Sequence, residues 1–176
     1  TFQWTLGIAI LLFLLELIIK ERKRVITFLI FIFIFISGFN PEVSIAKSIN
    51  KKIKEGEKAY KEKKYEQALK AFIDVQIEKP DNPKLKYNIG NAHYMVKNYD
   101  EAIKNYMDVI ASTKDNSLKE KAFYNLGNCF YREGKLLNSI NYYKKALKID
   151  PKDKEARQNL EFVLKELKRR SEQNKR

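Results

Sequence analysis

Two long apolar stretches open the chain, Phe2–Ile19 and Val25–Phe39, and Glu16 is the single charge inside them. Beyond about residue 50 the apolar residues fall at three- and four-residue spacings among lysines and glutamates, the period of an amphipathic helix. The expected chain is all-α and made of two materials. As a helix, Phe2–Ile19 is about 27 Å long, close to the roughly 30 Å hydrocarbon thickness of a bilayer. Glu16 lies about one turn from Lys20 and so reaches the interface, while Trp4 sits toward the other end, where an indole favours the headgroup level. The alternating run Phe31 to Ile36 has strand propensity, but fifteen apolar residues behind Arg22-Lys23-Arg24 have the plan of a signal sequence or signal anchor, with Ser44-Ile45-Ala46 as a cleavage candidate. Residues 1–40 are therefore expected to form a transmembrane hairpin of helices over 2–19 and 25–39. Its basic turn, 20–24, belongs in the cytoplasm by the excess of Lys and Arg, and Lys47, Lys51, Lys52 and Lys54 weigh against that orientation. Residues 41–49 read as a linker.

The rest of the sequence repeats itself. Tyr65-x-x-Ala68 returns as Tyr99-x-x-Ala102, 34 residues on, and as Leu136-x-x-Ser139 after 37 more. Tyr87-Asn88-Ile89-Gly90-Asn91 returns as Tyr124-Asn125-Leu126-Gly127-Asn128, again 37 on, and the three extra residues are assigned to a longer loop around Ser112 to Asn116. Each unit reads as two helices. The first carries Gly56, Gly90 or Gly127 where backbones approach, the second carries Ala68, Ala102 or Ser139 facing it, and Phe72, Tyr106 and Tyr143 fill space toward the next unit. Pro80 and Pro151 stop the second helices of units one and three. The units span about 50–81, 82–115 and 118–151. Asp153–Arg170 follows with Ala156, Leu160, Val163, Leu164 and Leu167 on one face, suited to capping the last apolar surface, and 171–176 is a basic tail.

This pattern resembles the tetratricopeptide-repeat (TPR) family, departing from it at Ser139, where Ala is usual, at Glu55, where an apolar residue is usual, and in the missing proline of the second unit. The resemblance implies a solenoid of three helix-turn-helix repeats plus a C-terminal capping helix, acting as a protein-binding scaffold. In that family first-helix residues line a concave groove. Matching positions carry the role onto Lys84, Tyr87, Asn91, Tyr94, Lys121, Tyr124, Asn128, Tyr131 and Arg132. The amides can donate to and accept from a peptide backbone, the tyrosines offer contact area, and Lys121 and Arg132 can meet a carboxylate. The competing reading is that Tyr-Asn-Leu-Gly-Asn is common structural wording that binds nothing in particular.

Charge adds a second function class. The chain has 35 Lys and Arg against 22 Asp and Glu, net +13, of which +11 lies in residues 50–176. Such an excess suits nucleic acid or an anionic surface. Against it, the lysines are scattered among glutamates as on a solvated face, and only 20–24 and 168–170 are clustered. Candidate chemistry is thin. His93 is the lone histidine and is expected to pack inward; Cys129, the lone cysteine, replaces a small residue and is expected to be a buried, inert thiol. Gly127 to Lys135 fails as a phosphate loop, since the glycine spacing is wrong and Leu136 stands where Ser or Thr is needed. Neither a metal, a cofactor nor an enzymatic activity is expected.

The first segment, from Phe2-Gln3-Trp4 through Leu14-Leu15-Glu16-Leu17 to Glu21-Arg22-Lys23-Arg24, is similar to the last transmembrane helix of von Willebrand factor A (VWA) membrane proteins of the bacterial aerotolerance (Bat) operon. Those are commonly encoded beside a membrane-anchored TPR protein. The resemblance implies the tail of a VWA protein fused to its TPR neighbour, a bacterial inner-membrane location with periplasmic repeats, and partners that include VWA-domain membrane proteins of the same operon.

Overall fold

The computed structural model describes residues 41–174, together with Ile19 and Arg22. Apart from those two residues, the expected membrane helices over 2–19 and 25–39 and the turn between them lie outside the described residues. Among the described residues no helix is long and apolar enough to cross a membrane. Among the described residues 41–174, seven helices follow one another: α1 (Pro41–Lys61), α2 (Tyr65–Glu78), α3 (Pro83–Met95), α4 (Tyr99–Ser112), α5 (Asn116–Arg132), α6 (Leu136–Ile149) and α7 (Lys154–Gln173). The chain divides into two units, 1–47 and 48–176, and the repeats occupy the second.

Residues 41–49 are not a linker but the start of α1. Proline at the first helical position presets φ, and Ile49, only 4% exposed, joins Phe72, Val75, Leu85 and Ile89 in the first of three apolar clusters. Burial on one side thus extends the helix. The three extra residues of the 37-residue offset do not lengthen a loop either. They add a turn to the start of α5, where Asp115 caps the backbone N–H groups of Ser117 and Leu118 and Leu118 is buried. α7 runs on through Gln173, three residues past its expected end at Arg170, and of its expected apolar face Leu164 is 43% exposed while Ala156 and Val163 are buried.

Each first helix turns into its partner in the same way. Lys63, Lys97 and Gly134 occupy equivalent positions with φ of 61°, 64° and 75°, and the residue after each donates its N–H to a carbonyl five residues back, from Lys64, Asn98 and Lys135 to Ala59, His93 and Phe130. The glycines in the first helices face aromatic rings. A Cβ on Gly56, Gly90 or Gly127 would stand 2.6, 2.8 or 2.5 Å from Phe72, Tyr106 or Tyr143. Ser139, in place of the usual alanine, is fully buried and satisfied by donating to the carbonyl of Gly127 at 2.8 Å. The second cluster joins Ala102, Tyr106 and Val109 to Leu118, Ala122 and Leu126, and the third joins Leu136, Ile140 and Tyr143 to Val163 of α7. The last cluster shows α7 covering the final repeat, which would otherwise expose this apolar face.

Candidate functional site

The first helices are tied together by a hydrogen-bonded ladder that recurs with the repeat. Asn91 Oδ1 accepts from the Tyr106 hydroxyl at 2.7 Å and from Asn125 Nδ2 at 3.0 Å, and the same Nδ2 donates to the Tyr87 hydroxyl at 3.1 Å. One repeat on, Asn128 Oδ1 accepts from the Tyr143 hydroxyl at 2.6 Å and from Asn159 Nδ2 at 3.2 Å, and Asn159 donates to the Tyr124 hydroxyl at 3.1 Å. Burial pushes the Tyr87, Tyr106 and Tyr143 phenols above their ordinary range, so all three stay protonated, Tyr106 and Tyr143 as donors and Tyr87 as an acceptor. Both lone pairs of each asparagine carbonyl are occupied. Asn91 and Asn128 therefore hold repeat to repeat, and their carbonyls, which the sequence had offered to a peptide ligand, are already engaged.

The other expected residues remain accessible in part. Lys84, Lys121 and Arg132 are exposed, and Tyr87, Tyr94, Tyr124 and Tyr131 are half-buried. Arg132 Nε donates to the Tyr94 hydroxyl at 3.3 Å, Tyr124 donates to Glu155 at 3.4 Å, and Tyr131 meets the exposed Phe162 edge-on with ring centroids 5.7 Å apart. The face across α3, α5 and α7 is thus a run of tyrosine edges with three exposed cations beside it. Sequence reasoning missed Tyr106, Tyr143, Asn125 and Asn159 as ladder partners, although the spacing Asn88, Asn125, Asn159 repeats at 37 and 34 residues. It also missed a cavity of about 370 Å³ at the first repeat, lined by Glu57, Tyr60, Lys61, Phe72, Asn88 and Asn91.

The remaining candidates carry no constellation. Cys129 is fully buried and burial pushes its thiol up to about 12. His93 is partly buried, burial lowers its pKa, and its Nδ1 has no hydrogen-bond partner. No group of three or more metal-ligating side chains gathers among the described residues.

Family models described as tetratricopeptide repeat match residues 53–117 and 120–153, together more than half of the chain. The chain belongs to the tetratricopeptide-repeat family. No curated protein matches it. Among solved structures it is similar to the second TPR domain of human RPAP3 in complex with the HSP70 peptide SGPTIEEVD, at 27% identity and a TM-score of 0.58, covering 64% of this chain and 91% of that one. It is similar also to the TPR2AB domain of yeast Sti1 in its HSP90 complex, at 25% identity and a TM-score of 0.64, covering 72% of this chain and half of that one. The first TPR domain of Spaghetti (RPAP3), bound to the HSP90 peptide SRMEEVD, shares the fold at 22% identity and a TM-score of 0.63, covering 69% and 94%. The TPR solenoid expected from the repeat spacing is therefore present in residues 48–176.

Proposed function

We propose that the face across α3, α5 and α7 holds an extended, acidic segment of a partner protein, making this domain a binding scaffold. The observation that carries the reading is the pairing of half-buried tyrosines with exposed Lys84, Lys121 and Arg132 along one ladder-stiffened surface. Rigid phenol rings give contact area at low entropic cost, and the cations select carboxylates at the rim. The similar RPAP3 and Sti1 domains were solved with HSP70 and HSP90 partners, and the peptides SGPTIEEVD and SRMEEVD are acidic, which supports the same class of ligand here. Fluorescence anisotropy with labelled acidic peptides tests it. The triple variant Lys84→Glu, Lys121→Glu, Arg132→Glu is expected to bind at least about tenfold more weakly. Peptide binding unchanged in that variant, or steeply salt-dependent binding of duplex DNA in place of any peptide, would overturn the reading in favour of the basic-surface alternative.

In the same reading the domain is tethered to a bacterial inner membrane by the hairpin of residues 1–40, with the repeats on the periplasmic side. The charge of 20–24 and the VWA-tail resemblance of Phe2 to Arg24 support this placement, and VWA-domain membrane proteins are the partners it suggests.

A further inference from the structure

The ladder that closes repeats two and three is open in repeat one. Glu57 stands where Asn91 and Asn128 stand, Phe72 where Tyr106 and Tyr143 stand, and Asn88 where Asn125 and Asn159 stand, at the same 34- and 37-residue offsets. In the later repeats a phenol and an amide both donate to the asparagine carbonyl. Phe72 has no hydroxyl to donate, and among the described residues neither Glu57 nor Asn88 makes a side-chain hydrogen bond or ion pair. What replaces the missing bonds is space, the cavity of about 370 Å³ that Glu57, Phe72 and Asn88 line.

We infer that this cavity is a subsite for a cationic side chain of the bound segment, an arginine guanidinium. Glu57, exposed at the cavity's edge, offers a carboxylate in the register where Asn91 and Asn128 each accept two donors, and a guanidinium presents donors in the planar fork that matches it. Asn88 can accept a further N–H, and the half-buried Tyr60 ring at the same lining is of the kind that attracts a cation. Lys61, also at the lining, occupies the register of Met95 and Arg132, one turn beyond Glu57, and is exposed. The subsite deepens the peptide-binding reading and rests on it for the source of the cation: the groove would then read a bipolar segment, arginine at the first repeat and acidic residues toward Lys121 and Arg132.

The test uses the full chain in detergent micelles, labelled with ¹⁵N, and two probes of one shape, Nα-acetyl-arginine amide and its neutral analogue Nα-acetyl-citrulline amide. The arginine probe is expected to shift the Asn88 side-chain amide and the Glu57 backbone amide saturably, with citrulline about tenfold weaker and Glu57→Gln removing the difference. The pair Glu57→Asn with Phe72→Tyr, which rebuilds the ladder seen in the other repeats, is expected to abolish the response in a folded protein. Equal shifts from both probes, persistence in Glu57→Gln, or a stronger response to Nα-acetyl-glutamate amide would overturn the subsite. Acidic peptides that bind the groove while arginine amide leaves Asn88 unmoved would sink the subsite alone; the converse result would sink the acidic-peptide reading and leave the subsite.

Discussion

At the scale of single residues, environment decides what each side chain can do. The recurring asparagines advertise a ligand site in the sequence, yet Asn91 and Asn128 are engaged by their neighbours, because a hydroxyl fifteen residues along the chain reaches each of them. Glu120 illustrates the same dependence for charge. Burial, then Asp153 and Asp150 nearby, raise its carboxyl from 4.5 to about 7. A carboxyl whose folded pKa is raised contributes stability that is complete below about 4.5 and lost as the pH rises through about 7. Glu120→Gln is therefore expected to be more stable than the parent at pH 8 and equal to it at pH 4. The gain is about 1 kcal/mol once the group's partial exposure is allowed for. Urea melts of both proteins across that range check it, and a constant difference would refute the assignment. The variant-minus-parent comparison cancels His93, whose lowered pKa acts in the opposite sense as the pH falls below 6.5.

At the scale of helices, the close approach within each pair sets the design. The sequence shows a glycine facing a small residue, and the structure shows that the demanding neighbour is a ring: a Cβ on Gly127 would stand 2.5 Å from two carbons of the buried Tyr143. Alanine is the better helix former, so an exposed Gly→Ala change would stabilise by up to about 1 kcal/mol. Here the clash outweighs that gain. Gly127→Ala is expected to destabilise by about 2 kcal/mol, as overpacking of a tight core does, and to lower the thermal midpoint by several degrees. A raised midpoint would show that Tyr143 yields freely. Element boundaries were legible where a side chain caps them at Asn82, Asn98 and Asp153, each of which accepts from backbone N–H groups of its helix. They were not legible at the start of α1 or of α5, where burial of Ile49 and Leu118 extends the helix into segments that local propensity reads as linker or loop.

At the scale of the whole molecule, the proposed placement of the repeats rests on the sequence of residues 1–40. The basic cluster at 20–24, with apolar stretches on both sides, predicts that the C-terminus lies outside the cytoplasm in a bacterium. Alkaline phosphatase fused after Arg176 is expected to be active in cells, and an inactive fusion with an active cytoplasmic reporter at the same point would reverse the topology. The sequence by itself determined the helical class, the number of repeats and the cap, because each repeat contacts mainly its neighbours and so writes its packing into a fixed local period. Only the tertiary structure decided which of the repeated polar residues are structural and where the ladder is left open. A hydrogen bond from Asn125 to Asn91 spans 34 residues, and the counterpart of the Tyr106–Asn91 bond is lost between Phe72 and Glu57 for want of one hydroxyl. Periodicity records that such positions recur. It does not record which donors meet which acceptors once the helices lie side by side.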